Sequence, residues 1–231
     1  SAADSAINKR LFKSPEHGVE EMLHDAVNFK ATTDIEKTLH HSDVIFVVVA
    51  TPSLKSGRYN HAQVDNLVET IKGFGVQQVQ KHLVICCTTM PSYCDTVEQR
   101  LRDYNYTVSY NPEFIAQGTI LKDQASPDMV LIGEGSRKIG DILQSIYENH
   151  TVNEPRICRM SRTEAEICKI ALNCFVTTKI SFANMVVILD TATAMAVHAF
   201  REIIEHWAFM QTTSRCPRIL APPQTALMKN I

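Results

Sequence analysis

The chain lacks long hydrophobic runs, an excess of either charge, paired cysteine motifs and a glycine-rich turn, and each shortage removes a class of function. The longest apolar stretch, Val44 to Ala50, falls far short of the roughly 20 residues needed to span a bilayer, so no membrane segment is expected. The first residues do not show the charged-then-apolar pattern of a signal peptide. Lys plus Arg number 23 against 25 Asp plus Glu, a formal net charge of −2, which gives no reason to expect a nucleic-acid partner. The seven cysteines are odd in number and include no Cys-x-x-Cys pair. Most sit inside apolar runs, as buried free thiols do, so a zinc site is not expected and a reducing cytoplasm is the simplest location. Only eight glycines occur and none form Gly-x-Gly-x-x-Gly. Gly133 and Gly135 follow a strand, but no third glycine stands where a phosphate-binding loop needs one.

What is present suffices for a sizeable core: 231 residues, of which 45% are hydrophobic. Gly18 to Val27 reads as a helix from the spacing of Val19, Met22, Leu23 and Ala26. Thr33 followed by Glu36 has the spacing of a capping box for a second helix ending near His40. Asp43 to Ala50 is a continuous β-branched run, which reads as a strand of a parallel sheet covered on both faces. Further strands are expected at Leu83 to Cys87, Thr107 to Tyr110 and Met129 to Ile132. Helices are expected at Ala62 to Ile71, Tyr93 to Tyr104 and Lys138 to Tyr147. The alternation argues for an α/β fold with a doubly wound parallel sheet. From Ser161 a long helical pattern runs to about Met185, with Ile167, Ile170, Ala171, Cys174, Phe175 and Phe182 as its apolar stripe. The expected division is residues 1–160 as a Rossmann-like domain and 161–231 as a central helical region with an irregular tail. A further helix is expected over Thr191 to Met210.

Four segments carry chemistry. Val49-Ala50-Thr51-Pro52 ends the strongest strand, where open parallel sheets bind ligands; it reads either as a ribose- or phosphate-contacting edge or as a plain loop start stopped by Pro52. Thr88-Thr89-Met90-Pro91 ends the next strand, with two hydroxyls able to orient a water or a carboxamide, or simply a β-branched strand end. Asn111-Pro112-Glu113-Phe114 follows a third strand; Glu113 is either a general base or water-positioner or a solvated loop carboxylate. Lys169 and Asn173, four apart, share a helix face. Together they offer donors to a developing oxyanion, or they are surface residues.

In this order these segments resemble the nucleotide-sugar 6-dehydrogenases, the UDP-glucose/GDP-mannose dehydrogenase family, over roughly residues 30 to 185. Thr32-Thr33-Asp34, Asp43-Val-Ile-Phe and Thr51-Pro52 match its early units, and Thr88-Thr89-Met90-Pro91 resembles its Ser-Thr-Val-Pro turn. The most specific stretch is Asn111-Pro-Glu-Phe with Gly118-Thr119, Lys122-Asp123 and Pro127-Asp128. Glu166, Lys169, Asn173, Phe175, Lys179, Ser181, Phe182 and Asn184 resemble its central helix. The resemblance implies NAD as cofactor, bordered by Val49, Ala50, Thr51, Pro52, Thr88 and Thr89. It implies a catalytic water held by Glu113 with Thr89, substrate contacts from Glu113, Phe114 and Ile115, and an oxyanion held by Lys169 and Asn173. The reaction implied is oxidation of the sugar's 6-hydroxymethyl group to an acid, with two hydrides passed on and a cysteine acting covalently. A homodimer through the long helix is implied as well.

The chain departs from the family's pattern. Gln117 stands where many members carry Glu and Met129 where many carry Arg. The Gly-Gly-x-Cys segment is not matched, and Cys216-Pro-Arg218 is its faint echo. The first glycine-rich turn is not matched either, so a polypeptide of these 231 residues alone is expected to bind NAD weakly or not at all and to dehydrogenate no nucleotide sugar. The alternatives are a β-hydroxyacid or 6-phosphogluconate-type dehydrogenase, whose relatives lack Asn-Pro-Glu-Phe, and a catalytically inactive dimerising homologue.

Overall fold

The structure, a computed structural model, describes residues 2–116 and 118–193. Gln117, Cys216 and most of the expected helix and tail after Thr193 lie outside the described residues. Internal contacts divide the chain between Leu172 and Asn173.

The first unit holds five strands in the order β1-β2-β3-β4-β5: Val44–Val47, Lys81–Ile85, Tyr106–Tyr110, Met129–Glu134 and Arg156–Ser161. Short helices α1 (Ala2–Asn8), α2 (Val19–Asp25) and α3 (Ile35–His41) precede β1. Helix α4 (Ala62–Gly73) connects β1 to β2, and α5 (Tyr93–Leu101) connects β2 to β3. Helix α6 (Ile120–Ala125) precedes β4, and α7 (Arg137–His150) connects β4 to β5. Strand β5 runs straight into α8 (Arg162–Thr193). Among the described residues no helix is long and apolar enough to cross a membrane.

The sheet is mostly parallel. Strands β1, β2 and β3 pair in parallel, as do β4 and β5, but β4 meets β3 antiparallel through Tyr110 and Gly133. Glycine explains the approach. A Cβ on Gly133 would lie 2.9 Å from Arg162 Cα and 3.0 Å from Tyr110 Cβ, and one on Gly135 only 1.9 Å from Val108 O. Both glycines therefore let neighbouring atoms pack closely.

Period-two alternation sends side chains of β2 to both faces. Leu83 and Ile85 join Val64, Val68 and Ile71 of α4 and Val97 and Leu101 of α5 in one core. Val84 and Cys86 join Val130, Ile132 and Ile139 and Leu143 of α7 in the other. Helix α4 forms because Val64, Val68 and Ile71 recur at helical spacing and bury together. Strand β1 departs from the expected two-sided cover: it is an edge among the described strands, and Phe46 and Val48 are exposed. The cap of α3 also differs from the Thr33–Glu36 pattern, because Asp34 sits at the N-cap and its carboxylate accepts from Lys37 N–H at 3.1 Å.

Candidate active site

Parallel strands place their carboxyl ends side by side, and here Val47 aligns with Ile85, and Ile85 with Tyr110. The segments that follow, 48–52, 86–91 and 111–114, therefore lie along one edge, where such sheets bind ligands.

Asn111 extends β3 by donating its N–H to Ile85 O at 2.9 Å. Its buried side chain donates to Leu131 O at 2.9 Å and accepts from the Tyr147 hydroxyl at 2.8 Å. Burial raises that hydroxyl to a pKa of about 12. The Asn fixes the start of the loop, and the loop then presents Glu113, which is half-buried, to Lys169 of α8. Lys169 Nζ donates to Glu113 O at 2.6 Å and stands 4.1 Å from the centre of the Phe114 ring. Lys169 is only 8% exposed. Burial pushes its ammonium below the ordinary lysine value, and the negative charge of Glu113 opposes that. Glu113, Phe114 and Ile115 also line a cavity of about 300 Å³ whose other walls include Met129, Ile146 and Tyr147.

Thr89 is fully buried, and its hydroxyl donates to Glu166 of α8 at 2.9 Å. Thr88 is half-buried beside it, and across the strand ends Val49 and Thr51 are half-buried while Ala50 and Pro52 are exposed. Met90 N–H donates to Nε2 of His61 at 3.3 Å, and the His61 ring stacks on Tyr93 at 3.9 Å. Burial holds His61 below its ordinary pKa, which suits a ring nitrogen that must accept.

The structure thus brings Lys169, Glu113 and Phe114 into contact, and Thr89 into contact with Glu166. Asn173 stands one turn beyond Lys169 on α8, in the second unit, where its main-chain oxygen accepts from Thr177 at 2.9 Å. Burial raises the Cys86 thiol to about 12 and the Cys87 thiol to about 11, and drives Cys94 well above its ordinary value. None of these three is a ready thiolate. Among the described residues no cluster of His, Cys, Asp or Glu is arranged to hold a metal ion.

Two features of the site had no local signal in the sequence. His61 reaches Met90 across 29 positions, and Glu166 reaches Thr89 across 77. Glu166 was visible as part of the central-helix pattern, but its target was not.

Residues 4–151 match the UDP-glucose/GDP-mannose dehydrogenase family, NAD binding domain. A UDP-glucose 6-dehydrogenase of Pseudomonas aeruginosa is 30% identical over 198 residues, which are 80% of this chain and 43% of the relative. A GDP-mannose 6-dehydrogenase of the same organism is 32% identical over 74% of this chain and 42% of its own. The chain thus spans less than half the length of these relatives. The crystal structure of a ternary complex of GDP-mannose dehydrogenase from Pseudomonas aeruginosa superposes with a TM-score of 0.79 at 25% identity, covering 96% of this chain and 52% of that one. A UDP-glucose dehydrogenase from Pyrobaculum islandicum superposes with a TM-score of 0.71 at 25% identity, covering 80% and 44%. The fold is the Rossmann-like dehydrogenase fold, and NAD is the cofactor of the matched domain. On the domain match and on these sequence identities, the chain belongs to the UDP-glucose/GDP-mannose dehydrogenase family.

Proposed function

We propose that this chain supplies the cofactor edge and the oxyanion-binding lysine of an enzyme that oxidises the 6-hydroxymethyl group of a nucleotide sugar, such as UDP-glucose or GDP-mannose, to the uronic acid. The observation that carries the reading is Lys169, a nearly buried cation fastened to the Asn111–Phe114 loop at the carboxyl end of β3.

An ammonium has three donors. The Glu113 carbonyl takes one, and in this reading another meets the oxygen on the sugar's sixth carbon as it gains negative charge. Low exposure strengthens that interaction, because little water competes. Asn173, one turn on, is the second donor. Glu113 holds the water that turns the aldehyde stage into the acid, while Thr89, fully buried and donating to Glu166, backs the cofactor edge instead of reaching that water; Phe114 and Ile115 border the nucleotide sugar. The residues at the ends of β1 and β2 fit the nicotinamide side of NAD by their polar groups: hydroxyls on Thr51 and Thr88, main chain at Val49 and Ala50, and at Pro52 a carbonyl acceptor only, with Thr89 held inward. Alcohol to acid releases two hydrides, so NAD, when bound, would accept one at each stage, a second NAD taking the hydride lost after water has added to the aldehyde.

Mass spectrometry of the sugar after incubation of the intact protein with NAD and UDP-glucose or GDP-mannose tests the reading. A 6-carboxylate product supports it; a sugar returned unchanged from both incubations contradicts it.

A second reading, a dimerising homologue without catalysis, draws on the exposed apolar side chains of α8: Ile167, Phe175, Val176, Ile180, Phe182 and Met185. A homodimer through α8 is compatible with both readings, and only turnover separates them.

A further inference from the structure

We propose that Glu166 is the positioning residue of the cofactor edge: from α8 it caps α5 and holds the Thr88–Pro91 turn in register with Lys169. The proposal rests on the dehydrogenase reading for its kinetic consequence, but its structural content stands apart from turnover.

Glu166 is fully buried, and a buried carboxylate is tolerated only when its oxygens are hydrogen-bonded. Three donors serve it. Oε1 accepts from the Thr89 hydroxyl at 2.9 Å and from Cys94 N–H at 2.9 Å, and Oε2 accepts from Ser92 N–H at 2.6 Å. All three donors lie in the turn after β2 or the first turn of α5. The first N–H groups of a helix have no partner within it, and their end of the helix attracts negative charge. A cap normally comes from the residue just before the helix. Here that residue, Ser92, makes no side-chain cap bond and takes a left-handed backbone with φ 68°. Its hydroxyl lies instead 3.3 Å from Thr163 Oγ1. Such a backbone persists in a non-glycine residue only when its surroundings enforce it. Glu166 supplies that enforcement from another element.

The body of α5 is held independently. Arg162 is paired with Asp95 at 2.6 Å and with Glu98, Thr163 donates to Asp95 at 3.0 Å, and Val97 and Leu101 are buried. What Glu166 adds is therefore local to residues 89–94. Three positions along the same helix face, Lys169 fastens the loop after β3 through Glu113 O. One turn of α8 thus pins two adjacent strand ends, Glu166 the cofactor side and Lys169 the substrate side. A shift of Glu166 displaces Thr88 and Thr89 against NAD while leaving Glu113 and Phe114 in place.

The test is Glu166→Gln in the intact protein, which keeps one acceptor and turns an amide NH₂ toward an N–H donor. Amide hydrogen exchange should accelerate at Ser92 and Cys94, while residues from Val97 to Leu101 stay protected. The KM for NAD should rise by about tenfold, the scale of one hydrogen bond to a charged group, with the KM for the nucleotide sugar unchanged. Glu166→Asp, which restores the charge at shorter reach, should recover part of both. Unchanged exchange at Ser92 and Cys94 overturns the proposal, as does acceleration spread evenly along α5 or an equal rise in both KM values. If the unaltered protein reduces no NAD, the dehydrogenase reading fails, and the exchange measurement still decides whether Glu166 holds the turn.

Discussion

Lys169 Nζ lies 2.6 Å from the main-chain oxygen of Glu113, 56 residues earlier in the chain, and its charge sits over the ring of Phe114. The contact joins a helix to the loop at a strand's carboxyl end, so the position of the cation and the conformation of the loop depend on each other. In the proposed reading this desolvated positive charge is the one that meets the developing oxyanion. The loop itself is anchored from below by Asn111, and this anchor is open to test.

Tyr147→Phe removes one hydrogen bond to Asn111 and should lower stability by about 1 kcal/mol. Asn111→Ala should cost more, about 1–3 kcal/mol, because it also leaves the Leu131 carbonyl and the Tyr147 hydroxyl without their partner. Urea unfolding midpoints check the order. Equal losses for the two variants would mean that Asn111 is not the hub of the pair.

Gly135→Ala drives a methyl into the Val108 carbonyl, which would lie 1.9 Å away, and should cost about 1–3 kcal/mol or more. Gly73→Ala, at the end of α4 with nothing within 4 Å, should be neutral or stabilise by about 0.5 kcal/mol. Thermal melts of the two variants should move in different directions from the parent, or the first alone should move. A neutral Gly135→Ala would contradict the close packing of β4 on β3.

His61 and His82 are both held below the ordinary histidine value of 6.5, chiefly by burial. The unfolded chain therefore takes up their protons first as pH falls. Their contribution to stability is present above pH 6.5 and is lost as pH drops through that value towards the lower folded-state pKa values. Denaturation midpoints measured from neutral pH down to about 5.5 should decline, and the decline should be shallower in His61→Gln. A flat profile, or a decline undiminished in the variant, counts against the role given to His61.

The exposed apolar side chains of α8 predict self-association. Sedimentation at micromolar concentration should show a dimer that Phe175→Glu with Phe182→Glu dissociates. A parent that sediments as a monomer would remove α8 as a dimer interface.

Much of this architecture was legible in the sequence because burial leaves periodic marks. The runs at Val44, Leu83 and Met129 and the spacing of Val64, Val68 and Ile71 gave strands and helices close to those observed. Strand β5, with two arginines and a cysteine among six residues, and the six-residue α6 carried too little periodicity to register. The antiparallel β3–β4 contact was hidden because it depends on two glycines packing against main chain rather than on side-chain pattern. In the candidate site, Glu113 and Lys169 stand out by motif, but their contact through a carbonyl oxygen carries no sequence signal. In α5 Asp95 turns to Arg162 and Thr163, and the first-turn N–H of Cys94 donates to Glu166. One-dimensional spacing does not record such long-range partners.

In the proposed reaction Lys169 stabilises the oxygen that develops charge during oxidation of a nucleotide sugar. The most direct measurement is the rate of NADH formation from UDP-glucose or GDP-mannose by the intact protein and by Lys169→Ala, with NAD affinity measured in parallel by calorimetry. Loss of one preorganised donor should lower turnover by about 10²–10³ with NAD affinity unchanged. Turnover in Lys169→Ala equal to that of the parent would contradict the account.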